Sequence, residues 1–149
     1  MKQIEIATLG HLNEFAELFN NYRVFYRQTS DIERGKTFLK DRIIKNETVT
    51  FLIKADDKFA GFAQLYPLYH YGTLQRQWLL SDLFVAPDFR GRGLSIDLIE
   101  RCKRHCEETD ACGLLLETEK TNDIGNRLYP KCGFELDKVH NYYNWWKKQ

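Results

Sequence analysis

Apolar and polar positions in the first 47 residues predict one strand followed by two helices. Isoleucines alternate with polar residues between positions 2 and 7, which is typical of a short strand. Apolar side chains then recur at helical spacing up to the polar segment YRQTSD, at Leu12, Phe15, Ala16, Leu18, Phe19, Tyr22 and Phe25. Ser30 or Asp31 can cap a second helix, which we expect to end near position 46. Its buried face is expected to hold Phe38, Leu39, Ile43 and Ile44.

The period changes at position 48 and predicts an antiparallel hairpin followed by a third strand. The segments TVTFLIKA and FAGFAQLYPLY are rich in β-branched and aromatic residues, and DDK supplies the turn between them. The segment QWLLSDLFV, residues 77–85, is apolar almost throughout, which favours a central strand buried on both faces. It carries one acid, Asp82.

The last third of the chain predicts two more helices and three more strands. A helix follows the loop RGRG, has an apolar stripe through Leu98 and Cys102, and ends near position 110. GLLLET is expected to be a short strand, DIGNRLYPKC a helix closed by Gly133, and FELDKV with NYYNWW a final hairpin. The order β-α-α-β-β-β-α-β-α-β-β predicts an α/β fold with a mixed sheet and flanking helices.

Length and composition predict a single domain over residues 1–149. The chain is 43% hydrophobic, which suffices for one substantial core, and it has no repeat or linker. Lys and Arg number 22 against 21 Asp and Glu, so we expect neither nucleic acid nor an acidic membrane as a partner. Without a signal-like start or a run of about 18 apolar residues, a cytoplasmic protein is expected.

Four cysteines raise the question of metal binding. The spacing Cys102-x-x-His105-Cys106 puts three potential ligands on neighbouring helical positions. Cys102 and Cys106 also fall on the apolar stripe, where a thiol acts as a small hydrophobic group. No CxxC pair occurs, so we expect reduced core cysteines and no metal.

The loop Arg90-Gly91-Arg92-Gly93 has the composition of an anion site. Unpaired amides and the dipole at the start of the following helix attract negative charge, and glycines allow phosphates to approach the backbone. A Walker loop is excluded because no Gly-Lys-Ser/Thr follows, and the dinucleotide fingerprint lacks its third glycine, with Ile96 in that place. The residues alone leave the ligand class open.

Two segments resemble motifs of the GNAT superfamily, the acetyl-coenzyme A (acetyl-CoA) dependent N-acetyltransferases. Residues 90–95, RGRGLS, resemble its R/Q-x-x-G-x-G/A signature, with Ser95 in the last place. Residues 122–134, NDIGNRLYPKCGF, resemble its N-x-x-A-x-x-L-Y-x-x-x-G-F segment, with Gly125 in the alanine place. The element order is similar as well, so the resemblance covers nearly the whole chain.

The resemblance implies acetyl-CoA as co-substrate and assigns residues to it. The sheet is expected to splay beside residues 77–85, where free amides bind the pantetheine arm and face the thioester carbonyl. The cofactor-binding residues so implied are Leu83, Phe84, Val85, Arg90, Gly91, Arg92, Gly93, Leu94, Ser95, Asn122 and Tyr129. Tyr129 is also the implied proton donor to the leaving thiolate, while Asn122 can equally be a helix N-cap.

The acid Asp82 is the candidate base. Around it the chain is similar to the branch of small polyamine and histone-type acetyltransferases, which often reads LEDFFV where this chain reads LSDLFV. Ser81 therefore replaces the usual glutamate, and Asp82 remains. A carboxylate on an apolar strand is expected to have a raised pKa. The alternative is that Asp82 binds backbone amides or pairs with an arginine.

The expected function is acetyl transfer to a primary amine, a small polyamine-like molecule or a lysine side chain. Aromatic and acidic residues that the resemblance puts beside the acceptor pocket are Tyr22, Phe25, Tyr26, Tyr66, Tyr69, Tyr71, Asp31 and Glu33. The alternative is that the aromatic residues at helical spacing belong to the core. A domain that holds acyl-CoA as a sensor without catalysis is the alternative function. NYYNWW is expected either to pair with a second subunit in a homodimer or to pack onto its own core.

Overall fold

The computed structural model describes residues 1–149 in two units, Met1–Glu117 and Thr118–Gln149. The first unit holds one sheet whose strands are β1 (Lys2–Ile6), β2 (Val49–Ala55), β3 (Lys58–His70), β4 (Gln75–Val85) and β5 (Leu114–Leu115). Their spatial order equals their order in the chain, and only the β4–β5 pair is parallel. This is the mixed sheet that the sequence predicts.

The helices are α1 (Leu12–Phe25), α2 (Ile32–Ile44) and α3 (Leu94–Glu108) in the first unit and α4 (Asp123–Lys131) in the second. Asp31 caps α2 by accepting a hydrogen bond from the backbone N–H of Arg34 at 3.1 Å. The β2–β3 turn uses Asp56 and Asp57 at positive φ, the conformation of tight hairpin turns. The strands and helices that form begin and end within a few residues of their predicted bounds.

Each face of the sheet is covered by helices. On one face, α1 packs through Phe15 and Phe19 against Phe62 of β3 and Phe84 of β4. α3 packs against β2, β3 and β4 and buries the predicted stripe of Leu94, Leu98, Ile99, Cys102 and Cys106. All four cysteines are free, and burial raises the pKa of Cys102 to about 12. The buried Cys102, Cys106 and Cys132 act as small hydrophobic groups, as expected, whereas Cys112 is exposed and the core prediction is wrong for it.

One burial prediction was wrong, and one holds in part. In α2 only Leu39 and Gly35 are buried, while Phe38 and Ile44 are exposed, because α2 packs on α1 and buries only the residues of that contact. In β4, Phe84 is buried on the face of α1 and Trp78 on the face of α3, so both faces are covered, although most side chains of the strand are only partly buried. Ser81 is exposed there.

The final hairpin was also predicted wrongly. Residues 134–149 form no strand. Instead, the Asp137 carboxylate accepts the backbone N–H groups of Val139 and His140 at 2.8 and 2.9 Å, a local turn that competes with a ladder. These two bonds and the His140 side chain lower the pKa of Asp137 to about 2. An alternating pattern supplies side chains for a strand, but a strand also needs a partner for its backbone.

Candidate active site

The edge of β4 that faces β5 is paired over only part of its length. The parallel ladder joins Trp78 to Leu114 and Leu79 to Leu115 and goes no further. Residues 80–85 therefore have no strand neighbour on that side. A ligand that offers hydrogen-bonding groups can pair with backbone exposed in this way.

A β-bulge interrupts β4 within the same stretch. Leu65 of β3 lies opposite Leu80, and its neighbour Gln64 lies opposite Asp82, so Ser81 is the extra residue of the bulge. A bulge re-aims the side chains that follow it. Here it puts Asp82 in register with Gln64, on the face of the sheet covered by α1.

Asp82 is partly buried, and its hydrogen-bond partners are uncharged side chains. Gln64 Nε2 donates to Asp82 Oδ2 at 2.8 Å, and the Tyr22 and Ser81 side chains also bond to the carboxyl. Burial raises the pKa of Asp82 above its ordinary value, although these three bonds act in the opposite direction. The expected direction is thus confirmed, and neither an arginine nor a backbone amide is the partner seen.

Tyr66 of β3 lies close enough to respond to the same carboxylate. Burial and the negative charge of Asp82 together raise the pKa of Tyr66 to about 12. Its hydroxyl therefore keeps its proton at neutral pH. It adds no charge to the surroundings of Asp82.

The loop before α3 has the geometry of an anion site. Gly91 and Gly93 both have φ of 76°, a left-handed conformation that side chains disfavour. Gly93 is the N-cap of α3 and provides no side chain to the free amides of the first turn. A Cβ on Gly91 would meet no atom within 4 Å, and one on Gly93 only Lys2 Nζ at 3.9 Å. The backbone here is open to a ligand such as the diphosphate of CoA.

The two arginines of the loop already have partners. Arg90 donates from Nε to the carbonyl of Val85 at 2.9 Å, and its guanidinium lies over Phe25 and Phe84. Arg92 makes a bidentate ion pair with Asp56 of the β2–β3 turn, at 2.8 and 3.2 Å. The Asp56 carboxylate therefore balances the positive charge of Arg92, and the loop is less positive than the loop sequence indicates. Both side chains remain exposed.

The remaining loop residues contribute in different ways. The Leu94 side chain is buried in the core, so only its backbone amide can face a ligand. Ser95 lies in the first turn of α3 and is partly exposed. Its small side chain fits the place that glycine or alanine takes in the signature.

The second motif forms α4 of the second unit. Asn122 is its N-cap, with Oδ1 accepting the Gly125 N–H at 3.1 Å and Nδ2 donating to Thr118 at 2.8 Å. The N-cap interpretation of Asn122 is confirmed. A Cβ on Gly125 would come within 2.5 Å of the Asn122 side chain, which shows why the position is small. The Tyr129 ring packs edge-on against Phe134, 5.8 Å between centroids.

The aromatic residues expected at the acceptor pocket separate into two groups. Tyr22, Phe25 and Tyr26 contact one another on α1, and Phe25 reaches Phe84. Tyr69 instead lies against Arg76, and Tyr71 stacks on His70. The first group is therefore close to the loop and to Asp82, and Tyr66 of β3 is close to Asp82 as well.

Sequence reasoning missed three residues of this site. Gln64 bonds Asp82 directly, and Thr50 bonds Gln64 in turn. Asp56 is the ion-pair partner of Arg92. Thr50 and Gln64 are polar side chains within otherwise apolar strands, a signal that could have indicated them. Asp56 has the composition of an ordinary turn and gives no such signal.

A surface cavity of about 490 Å³ carries charges of both signs and shares no residue with the site; it is lined by Lys2, Ile4, Ile53, Asp97, Glu100, Arg101 and Arg104. No three His, Cys, Asp or Glu side chains gather as metal ligands would. No helix has both the length and the apolar character needed to cross a membrane.

Comparison with known sequences identifies the family. The profile of the Acetyltransferase (GNAT) family matches residues 12–134, from the first helix to the end of the second motif. The chain belongs to the GNAT family. It is 38% identical over 128 residues to the uncharacterized N-acetyltransferase YhfO of Bacillus subtilis (strain 168), a match that covers 86% of each chain.

Solved structures agree with the GNAT assignment. One, a probable acetyltransferase, is 34% identical with a TM-score of 0.93 and covers 99% of both chains. An aminoglycoside N-acetyltransferase in complex with CoA has a TM-score of 0.81 at 20% identity, covers 97% of this chain and 94% of its own, and supports the fold alone. The predicted resemblance and α/β fold are confirmed: the protein is a GNAT acetyltransferase, and membership implies acetyl-CoA-dependent N-acetylation.

Proposed function

We propose that the protein transfers the acetyl group of acetyl-CoA to a primary amine, by direct attack of the amine on the thioester. The acceptor is a small polyamine-like molecule or a lysine side chain. The observation that carries this proposal is the position of Asp82 on the stretch of β4 that has no neighbour on the β5 side. A proton acceptor and free backbone donors thus occur on one strand.

The residues of the first unit fit a CoA thioester. Acetyl-CoA would supply the acetyl group in activated form. The Phe84 amide faces β3, as Ala86 N–H does, so the cofactor-binding role implied for its backbone amide is not available. The amides of Leu83 and Val85 alternate with it, and they would hold the pantetheine arm and face the carbonyl, where fixed donors stabilise developing negative charge without reorganising. Residues 90–95 would hold the diphosphate through the open backbone of the loop and the first turn of α3. Arg92 can bind the same anion when it leaves Asp56.

Asp82 would accept the proton of the amine, directly or through water. An alkylammonium has a pKa of about 10.4, so only about one molecule in a few thousand is neutral at pH 7. A base that removes the proton offsets part of that deficit of about 4–5 kcal/mol. Burial raises the proton affinity of Asp82, which suits it to this role.

A cationic acceptor suits the surroundings of Asp82. The rings of Tyr22, Phe25 and Tyr26 lie on α1, and aromatic faces attract ammonium groups. Asp31, by contrast, is engaged as the cap of α2. The acceptor selectivity is therefore proposed to come from these rings and Asp82 rather than from the acids after α1.

A free-thiol assay with a panel of amines tests the function. Purified protein and acetyl-CoA are incubated with polyamines, amino acids, aminoglycosides and lysine peptides. We expect thiol release with a polyamine or a lysine peptide. Release with no amine would favour the sensor function.

Tyr129→Phe is expected to lose most of the turnover with little change in acetyl-CoA affinity, because the variant lacks the proton donor for the leaving thiolate. The same thiol assay measures this turnover, and an unchanged turnover would remove the role assigned to Tyr129.

We also propose that residues 134–149 join two copies in a homodimer. Six large apolar side chains in this segment are 66–89% exposed: Leu136, Val139, Tyr142, Tyr143, Trp145 and Trp146. Large apolar side chains exposed this densely in one segment are typical of surfaces that bind another protein. Light scattering is expected to give twice the chain mass of 17.7 kDa for the wild type and the single mass for Trp145→Ala/Trp146→Ala. Lys147→Ala/Lys148→Ala is the matched control, and a monomeric wild type would contradict the proposal.

A further inference from the structure

Three polar side chains form a row across three neighbouring strands. The sheet register puts Thr50 of β2 opposite Gln64 of β3, and Gln64 opposite Asp82 of β4. Thr50 Oγ1 donates to Gln64 Oε1 at 3.0 Å, and Gln64 Nε2 donates to Asp82 Oδ2 at 2.8 Å. Thr50 and Gln64 are 3% and 1% exposed, so water does not compete for these bonds.

Chemistry fixes the direction of this row. A carboxylate only accepts hydrogen bonds, so the Gln64 amide must turn Nε2 towards Asp82 and therefore Oε1 towards Thr50. The Thr50 hydroxyl can satisfy that oxygen only by donating. The carboxylate thus determines which end of the Gln64 amide it meets, and the Thr50 hydroxyl supports that orientation by satisfying Oε1.

We propose that Gln64, supported by Thr50, is a positioning residue that holds Asp82 Oδ2 and keeps the carboxyl in the ionised form that takes the proton of the amine. The catalytic part of this proposal rests on the function proposed above. The row itself, however, is a property of the folded chain. It is therefore testable without turnover.

Gln64 differs from every other group near Asp82. Tyr22 on α1 and Ser81 on β4 bond to the carboxyl through hydroxyl groups, which can donate to a carboxylate or accept from a carboxylic acid. Tyr66 on β3 is neutral, as its raised pKa shows. Gln64 Nε2 can only donate, so its bond to the ionised carboxyl is stronger than its bond to the protonated one and favours the ionised state.

The test measures the proton affinity of Asp82 directly, by following its carboxyl carbon in an NMR pH titration. Gln64→Met keeps the length and volume of the side chain but removes the N–H donor. We expect the Asp82 pKa to rise by about one pH unit, the shift that corresponds to the loss of one hydrogen bond to a charged group.

A matched pair at Thr50 separates positioning from packing. Thr50→Val keeps the shape but removes the donor to Gln64 Oε1, so the amide is held less firmly and the Asp82 pKa is expected to rise by a smaller amount. Thr50→Ser keeps the hydroxyl and should titrate like the wild type. The double variant Thr50→Val/Gln64→Met removes both polar side chains, so no unpaired polar group is buried between β2 and β3. If either single variant folds poorly, the Asp82 pKa is measured in this double variant instead.

The outcomes distinguish this inference from the proposed function. An Asp82 pKa that is the same in the wild type, Gln64→Met and the double variant would overturn the positioning role. If the Asp82 pKa shifts in the variants but the pH at which kcat/KM falls on acidification does not, the positioning role is kept and Asp82 is rejected as the base. If the Asp82 pKa and the pH of that fall both move to higher values, the positioning role and the role of Asp82 as base are both supported.

Discussion

Asp82→Asn is expected to lower kcat/KM by about 100- to 10,000-fold, the usual contribution of a positioned general base. The substitution preserves the shape of the side chain and an oxygen for Gln64 Nε2, so neither the β-bulge nor the packing should change. It removes the ability to take a proton. Steady-state kinetics with the best amine of the panel would measure the effect, and acetyl-CoA affinity should stay as in the wild type.

The pH profile gives a second readout of the same change. The wild-type base works while ionised, so kcat/KM should fall as the pH falls through the pKa of Asp82. Because burial raises that pKa, the fall should come at higher pH than for an ordinary aspartate. In Asp82→Asn this limb should vanish. Asp88→Asn makes the same chemical change at an exposed position and is the matched control. If Asp82→Asn keeps the wild-type rate and pH profile, Asp82 is excluded as the base.

Gly93→Asp is expected to weaken CoA binding at least about 100-fold. Two unit charges 4 Å apart interact with about 4 kcal/mol at an effective dielectric constant of 20, so a carboxylate at the N-cap of α3 would repel the diphosphate strongly. The fold should survive, because a Cβ at Gly93 meets only the end of the Lys2 side chain. Calorimetric titration with CoA would measure the affinity, and thermal unfolding would verify the fold.

Gly93→Asn is the control that isolates the charge. Asn has nearly the shape of Asp, and both tolerate the left-handed conformation that the φ of 76° requires. Any backbone strain should therefore be similar in the two variants. We expect Gly93→Asn to bind CoA much more tightly than Gly93→Asp. Equal affinities in Gly93→Asp and the wild type would return the loop to an ordinary turn between strand and helix.

The pairing of Arg92 with Asp56 changes how the loop is understood. From the sequence, two arginines and two glycines form a strongly positive loop. In the structure one guanidinium is balanced by a carboxylate from a turn 36 residues earlier in the chain, and the other lies over two aromatic rings. The backbone amides at the start of α3 are thus the donors of the loop without a side-chain partner, so a charge at Gly93 affects the anion site more directly than the loss of an arginine.

The sequence by itself determined the local features of this protein. The strand and helix periods, the turn at Asp56 and Asp57, the cap at Asp31 and the glycine loop before α3 each depend on residues within a few positions of one another. Hydrophobic period and turn chemistry act at that range. Two motifs of this kind, at their spacing, also sufficed to indicate the GNAT family.

Only the tertiary structure decided which distant side chains meet. Thr50, Gln64 and Asp82 are 14 and 18 residues apart in sequence, and their row depends on strand register and on the bulge at Ser81. A shift of one residue in register would turn Gln64 to the other face of the sheet. The absent final hairpin has a related cause: residues 134–149 have the alternation of strands, but pairing depends on a neighbour that local pattern cannot provide. Local chemistry thus predicted the parts, and the register of the sheet determined how Asp82 is held.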